Sequence, residues 1–190
     1  FDARSREYVP LIDAWLTGSG LLVLSDEPDK AYSARVSKAF YRKNISKHLD
    51  GQRYTVAFTC APFKYTYPQP GAITVTTSGT RISNPGTAPA QPRVKITGSG
   101  SFSVTIGDET IYFEGVEGGG VIVDSELMDA MTYDGTALAN DKMSGQPWTL
   151  QPGASVVSWD YDDAAIDPVT EEPQNNSVTS VEILPRWRWR

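Results

Sequence analysis

The sequence predicts a mainly β protein, with a partial α+β region first and an antiparallel β-sandwich or jelly roll after it. Three observations carry this. Short runs alternate apolar and polar residues, turns rich in Gly, Asp and Asn separate them, and only one stretch, near the N-terminus, has helical spacing. With 39% hydrophobic and 21% charged residues among 190, the chain has the composition of a globular protein that buries a core.

Tyr8, Leu11, Ile12, Trp15 and Leu16 recur at intervals of three and four, with Gly18 where a helix would stop. This spacing predicts one short amphipathic helix with Pro10 in its first turn. The period then changes to two. Residues 21–24 form a compact apolar run, and Tyr32, Ala34, Val36, Lys38 and Phe40 alternate with smaller or polar neighbours, so both are expected strands. Residues 25–30 supply turn chemistry between them. After Asp50-Gly51, a third strand is expected to put Tyr54, Val56, Phe58 and Cys60 on one face.

Prolines concentrate between Pro68 and Pro92, and Asn84-Pro85-Gly86-Thr87-Ala88-Pro89-Ala90-Gln91-Pro92 can neither continue a helix nor sit inside a sheet. The expected division is therefore an α+β region over 1–82, a Pro-rich linker over 83–92 and a sandwich over 93–190. Expected strands in the sandwich are 93–97, 101–106, 110–113, 121–124, 155–159 and 178–184. Residues 125–131 fit a helical turn or a strand extension, and periodicity does not choose.

The net charge of −6 hides a division. Residues 1–64 hold ten Lys/Arg against seven Asp/Glu, and residues 65–190 hold seven against sixteen. Nucleic-acid binding relies on cations that neutralise phosphates, so an acidic body disfavours it everywhere except the Arg-rich C-terminal tail. No apolar run approaches the roughly 18 residues of a spanning helix, and no signal-peptide pattern opens the chain, so membrane insertion is not expected. The chain begins at Phe1 without a methionine, which suggests processing or truncation. One cysteine and one histidine exclude an internal disulfide and a clustered His/Cys metal site, and no cofactor is expected.

Catalytic signals are weak. His48 lies in a polar turn with no nucleophile motif elsewhere, and Cys60 falls on an apolar strand face where a thiol acts as a small hydrophobe. Gly98-Ser99-Gly100 and Gly118-Gly119-Gly120 lack the residues that follow a phosphate loop and are expected to be tight turns. Asp160, Asp162, Asp163, Asp167 and Glu171 resemble a calcium loop in spacing. The sixth position, however, is Ala165 rather than glycine, and Ala164 offers no side-chain oxygen at the fifth. Two of these carboxylates could form a glycosidase acid and base, which requires a cleft separation the sequence does not set.

Trp148, Trp159 and Tyr161 stand near Asp and Asn residues and are candidates for stacking on a sugar, although aromatic residues in small β domains mostly fill the core. Arg186-Trp187-Arg188-Trp189-Arg190 has two readings. As a free peptide it would be a cationic membrane or nucleic-acid binder. As a strand continuing from Val181, Ile183 and Leu184, it packs its tryptophans inward and sets its arginines against an acidic surface, which makes it a packing or interface strand. The lead-in favours the strand.

Two blocks in the first region, Leu22-Val23-Leu24-Ser25-Asp26-Glu27-Pro28-Asp29-Lys30-Ala31-Tyr32-Ser33-Ala34-Arg35-Val36 and Phe58-Thr59-Cys60-Ala61-Pro62-Phe63-Lys64-Tyr65, resemble siphophage distal tail proteins, specifically the second half of their N-terminal domain. Asn84-Pro85-Gly86, Pro92-Arg93-Val94-Lys95-Ile96-Thr97-Gly98-Ser99-Gly100, Val123-Asp124-Ser125-Glu126, Pro152-Gly153 and Ile183-Leu184-Pro185-Arg186-Trp187-Arg188 resemble that family's C-terminal domain. Order and spacing, more than any single motif, make the resemblance specific.

The resemblance implies a non-enzymatic structural component of a phage or prophage tail tip or baseplate, made in the bacterial host cytoplasm and placed at the virion tail tip. Its N-terminal domains would form a homo-hexameric ring that links the tail tube to tip proteins. Its galectin-like C-terminal domains would project outward toward host attachment. Phe1 falls after the family's first strands, so the N-terminal domain is expected to be truncated. The alternative is a carbohydrate-binding β-sandwich module that attaches to bacterial cell-wall glycans.

Overall fold

The computed structural model describes residues 2–3, 8–44, 52–161 and 176–190. The chain is mainly β and antiparallel, in two compact units, Phe1–Tyr67 and Pro68–Arg190.

The first unit contains β1 (Asp2–Ala3), α1 (Val9–Trp15), β2 (Ser19–Leu24), β3 (Glu27–Asn44) and β4 (Gln52–Thr66), with strand order β1-β4-β3-β2. Pro10 opens α1, where its missing N–H costs nothing, and the Leu16 N–H donates to the Ile12 carbonyl at 2.9 Å to close it. Of the expected apolar stripe, Leu16 is buried against Tyr54, with Ile12, Val36, Val56 and Phe58 half-buried around them. Tyr8, Leu11 and Trp15 face solvent. The expected turn at 25–30 is confined to Ser25-Asp26, and Glu27 already begins β3. There the Lys64 ammonium donates to the Glu27 carboxylate at 2.6 Å, and this hydrogen bond holds the Glu27 carboxyl below its ordinary range. Cys60 is exposed rather than apolar-packed. Ala34 lies opposite Cys60 but Tyr32 lies opposite Lys64, so the ladder is irregular just beyond Cys60 and strict alternation fails there.

The second unit contains β5 (Ile73–Val75), β6 (Thr80–Asn84), β7 (Arg93–Ile106), β8 (Glu109–Val116), β9 (Gly120–Asp124), β10 (Asp129–Thr132), β11 (Met143–Ser144), β12 (Gly153–Tyr161), β13 (Ser177–Leu184) and β14 (Arg188–Trp189). The first half of β7 pairs with β9 and β13 in the order β10-β9-β7-β13-β5. Its second half pairs with β8 and β12 in the order β11-β8-β7-β12-β6. One strand therefore belongs to both layers. Val94, Ile96, Phe102, Val104 and Ile106 point inward along its whole length and join Ile111, Phe113, Val121, Val123, Trp148, Leu150, Val157, Val181 and Ile183 in one core.

Gly98-Ser99-Gly100, expected as a turn between two strands, is instead the bend at which β7 passes from one layer to the other. Glycine is required there because a Cβ at Gly98 would lie 2.2 Å from the Ser177 carbonyl oxygen. One at Gly100, whose φ is +78°, would lie 2.1 Å from Asn176 Oδ1. Gly118-Gly119 does form the expected turn, and residues 125–128 form a turn that joins β9 to β10 as a hairpin.

The Pro-rich segment 83–92 lies inside the second unit, not between units. Ala88 and Ala90 are fully buried. Asn84 holds the loop, because its Oδ1 accepts from the Gly86 N–H at 2.8 Å and its Nδ2 donates to the Leu150 carbonyl at 2.9 Å. Beyond Asn84, the last residue of β6, the prolines leave only isolated pairings: Ala90 and Leu150 exchange backbone hydrogen bonds at 3.0 and 2.9 Å, and the Asn84 side chain adds the rest of the hold.

Candidate functional site

The layer built from β11, β8, β7 and β12 carries an open groove of about 650 Å³. Pairing places Ser144 opposite Tyr112, Tyr112 opposite Ser103 and Ser103 opposite Asp160, so these four residues form a row across the layer. The neighbouring row, Met143, Phe113, Phe102 and Tyr161, also borders the groove, and within it Phe102 and Phe113 are buried with ring centroids 5.1 Å apart. The alternation of β8, buried at Ile111 and Phe113 and exposed at Tyr112 and Glu114, thus anchors the layer with one set of residues and offers the other to solvent. Tyr112 is 62% exposed.

Two local features shape the groove. The ladder between β7 and β8 is irregular between Gly100 and Phe102, and the Gly115 N–H donates to the Ser101 hydroxyl at 3.3 Å. A 3₁₀ turn at Asn140–Lys142 brings Asp141 and Lys142 to the edge. Asn140 fixes that turn to β10, accepting from the Ala130 N–H and donating to the Asp129 carboxylate at 3.0 Å. Glu114, Asp141 and Asp160 against Lys142 leave the lining with two net negative charges. Its remaining polar groups are the hydroxyls of Ser101, Ser103, Ser144 and the tyrosines.

The three aromatic candidates are separated. Trp148 is fully buried, its indole N–H donating to the Glu109 carbonyl at 3.0 Å and its ring 6.4 Å from that of Phe113. A ring with no exposed face has no surface to offer a sugar, so Trp148 is a core residue. Trp159 packs half-buried against the same core. Tyr161 lines the groove. Tyr112, which sequence reasoning passed over, is the most exposed aromatic in the lining. The available signal was its place in Ile111-Tyr112-Phe113, where alternation puts it opposite to two core residues.

His48, Asp162, Asp163, Asp167 and Glu171 lie outside the described residues. Among the described residues, no group of three or more His, Cys, Asp or Glu side chains could hold a metal ion, and no helix is long and apolar enough to cross a membrane.

The C-terminal residues form a clasp. Arg186 Nη1 and Nη2 donate to the two Asp124 oxygens at 2.6 and 2.8 Å, and Glu126 lies 3.2 Å from the same guanidinium. Burial pushes the Asp124 carboxyl up. The Arg186 hydrogen bonds and charge, with the N–H groups of Glu126 and Leu127, outweigh that and hold it below the usual carboxylate range. Trp187 is buried and Trp189 half-buried against the core, while Arg188 is buried and donates to Gln91 Oε1 at 2.7 Å. The tail is not one regular strand, since Arg186 has φ of +50° and strand geometry resumes only at Arg188–Trp189.

No protein-family model matches the chain, and no curated protein matches it in sequence. Among solved structures it is similar in fold to SPP1 Dit (gp 19.1), described as a paradigm of the hub adsorption apparatus in phages that infect Gram-positive bacteria. The match has a TM-score of 0.65 at 17% identity and covers 94% of this chain and 70% of that one. At that identity the similarity defines a shared fold.

Proposed function

We propose that the chain is a non-enzymatic structural component of a phage or prophage tail tip, a distal tail protein that joins the tail tube to tip or baseplate proteins as a homo-oligomeric ring, a hexamer by the family resemblance. The fold similarity to SPP1 Dit over 94% of the chain carries this reading. The first unit adds a physical reason for self-association. Leu11, Trp15 and Leu21 are each more than 60% exposed, Val23 and Leu24 are more than a third exposed, and β2 ends the strand order β1-β4-β3-β2. Apolar side chains beside an edge strand favour a partner that covers both. A closed ring of identical copies supplies one without leaving a free end. Multi-angle light scattering on the intact gene product tests the proposal: a discrete ring mass is expected, and a strict monomer at high concentration refutes it.

The groove supports a second reading, in which the second unit is a carbohydrate-binding module that attaches to cell-wall glycans. The observation in its favour is an exposed tyrosine set among hydroxyls and carboxylates in a concave surface. A glycan array that retains no sugar refutes it.

A further inference from the structure

We infer that the groove over β11, β8, β7 and β12 is a binding track for an uncharged or amine-bearing oligosaccharide, with Tyr112 as the stacking platform and Asp160 and Glu114 as hydrogen-bond acceptors. This rests on the second reading above and adds the site and the class of sugar.

The size fits a short oligomer, since about 650 Å³ falls within the range of roughly 300–1,000 Å³ typical of small-molecule sites. The chemistry fits a sugar. A pyranose offers an apolar face of C–H groups edged by hydroxyls, and it needs an aromatic plane next to acceptors and donors. Tyr112 presents such a plane, and Ser103 and Asp160 follow it in the same cross-strand row. Glu114 stands two residues along β8 from Tyr112, with Lys142 at the groove's edge as a cationic donor.

Charge decides among sugars. With two net negative charges in the lining, a phosphate- or uronate-rich polymer would meet carboxylates on most sides and be repelled. A neutral glycan meets no charge repulsion, and an amino sugar gains attraction. The shape favours a chain over a single ring. A second cavity of about 260 Å³ shares Asp141 and Lys142 with the groove and continues past them to Leu138, which is 65% exposed. A linear oligomer crossing the 3₁₀ turn would contact both.

The test uses the full chain on an array of neutral, amino and phosphate-bearing bacterial glycans, followed by calorimetric titration with the strongest neutral or amino oligomer. Tyr112→Ala and Asp160→Asn are exposed-site changes, and thermal melts confirm that each variant folds. Selective retention of neutral or amino glycans is expected, with affinity falling about tenfold or more in Tyr112→Ala. Asp160→Lys with Glu114→Lys is expected to shift preference toward phosphate-bearing glycans. If wild type retains no glycan, the inference and the second reading both fall. If glycans are retained but Tyr112→Ala binds as wild type does, or phosphate-bearing glycans bind as well as neutral ones, only the inference falls.

Discussion

Replacing Arg186 with alanine is expected to be among the most destabilising single changes outside the hydrophobic core. Asp124 is 3% exposed and accepts two guanidinium hydrogen bonds, at 2.6 and 2.8 Å. Without Arg186 it keeps, among the described residues, the Glu126 and Leu127 N–H groups, at 3.0 and 3.4 Å. Removing one partner of a buried pair costs about 3–5 kcal/mol because the other charge stays buried and uncompensated. The Arg186 side chain retains 19% exposure and two backbone donors remain, which places the cost at the lower end, about 3 kcal/mol. Alanine tolerates the φ of +50° no better than arginine, so backbone strain cancels in the comparison. For a domain of this size the loss corresponds to a fall of about 10–15 °C in melting temperature. Unfolding followed by tryptophan fluorescence reports it, since Trp148, Trp187 and Trp189 all pack in or against the core of the second unit. Arg186→Gly should be about 1 kcal/mol more stable than Arg186→Ala, because glycine accepts that backbone conformation. A fall of less than about 3 °C in Arg186→Ala would refute the clasp as a stabilising element.

The same pair sets acid stability. Because the folded Asp124 carboxyl lies below its ordinary range, its contribution is fully present above that range and is lost as pH falls through the lowered value. In Arg186→Ala the group that lowers the carboxyl is gone and burial, which disfavours its charged form, remains, so this site no longer loses stability in acid: urea midpoints measured against pH should show the gap between wild type and Arg186→Ala closing as pH falls through the lowered wild-type value. Trp148→Ala should cost about 3–5 kcal/mol, and Trp148→Phe about 1–2 kcal/mol for the indole N–H lost from the Glu109 carbonyl, both read from urea titrations monitored by circular dichroism. Gly98→Ala should cost about 1–3 kcal/mol by driving a methyl group into the Ser177 carbonyl, with faster hydrogen exchange in β13 as the local readout.

Alternation made most strands legible. Residues 21–24, 110–113, 121–124, 155–159 and 178–184 fall within β2, β8, β9, β12 and β13; β8 alternates, with Ile111 and Phe113 buried and Tyr112 and Glu114 exposed, whereas β9 is buried throughout and was legible as a continuous apolar run. The misreadings share a cause, which is that a non-local partner determines what a local breaker does. Gly98-Ser99-Gly100 looks like a turn until Ser177 and Asn176 occupy the space its side chains would need, and then it is a bend inside one strand. The prolines of 83–92 look like a linker until Asn84 and the buried Ala88 and Ala90 fix the segment into the second unit. Trp148 looked like a sugar platform from its neighbours in sequence, but Phe113 and the Glu109 carbonyl claim it. Tyr112 went unread because a single tyrosine between two core residues is ordinary, and its significance lies in the cross-strand row that pairing creates.

Within the second unit, the motifs behind the family resemblance meet in space, and where they meet limits what they mean. Asn84-Pro85-Gly86 packs on the tail, since the Thr87 and Ala88 N–H groups donate to the Arg188 carbonyl at 3.1 and 3.2 Å and a Cβ on Gly86 would collide with it. Val123-Asp124-Ser125-Glu126 supplies the carboxylates for Arg186, and the Ser125 N–H donates to the Pro92 carbonyl at 3.0 Å. Gly98-Ser99-Gly100 is shaped by Asn176 and Ser177 at the start of β13. These signatures therefore specify how the C-terminal strand closes the sandwich, a requirement any chain with this topology must meet. Apart from Ser101, Phe102 and Ser103, which follow one of them on β7, the groove draws its lining from β8, β11, β12 and the 140–142 turn, beyond every one of those motifs. A surface left free by the closing machinery can change without unfolding the domain, so two proteins can share this sandwich and present different chemistry to their targets.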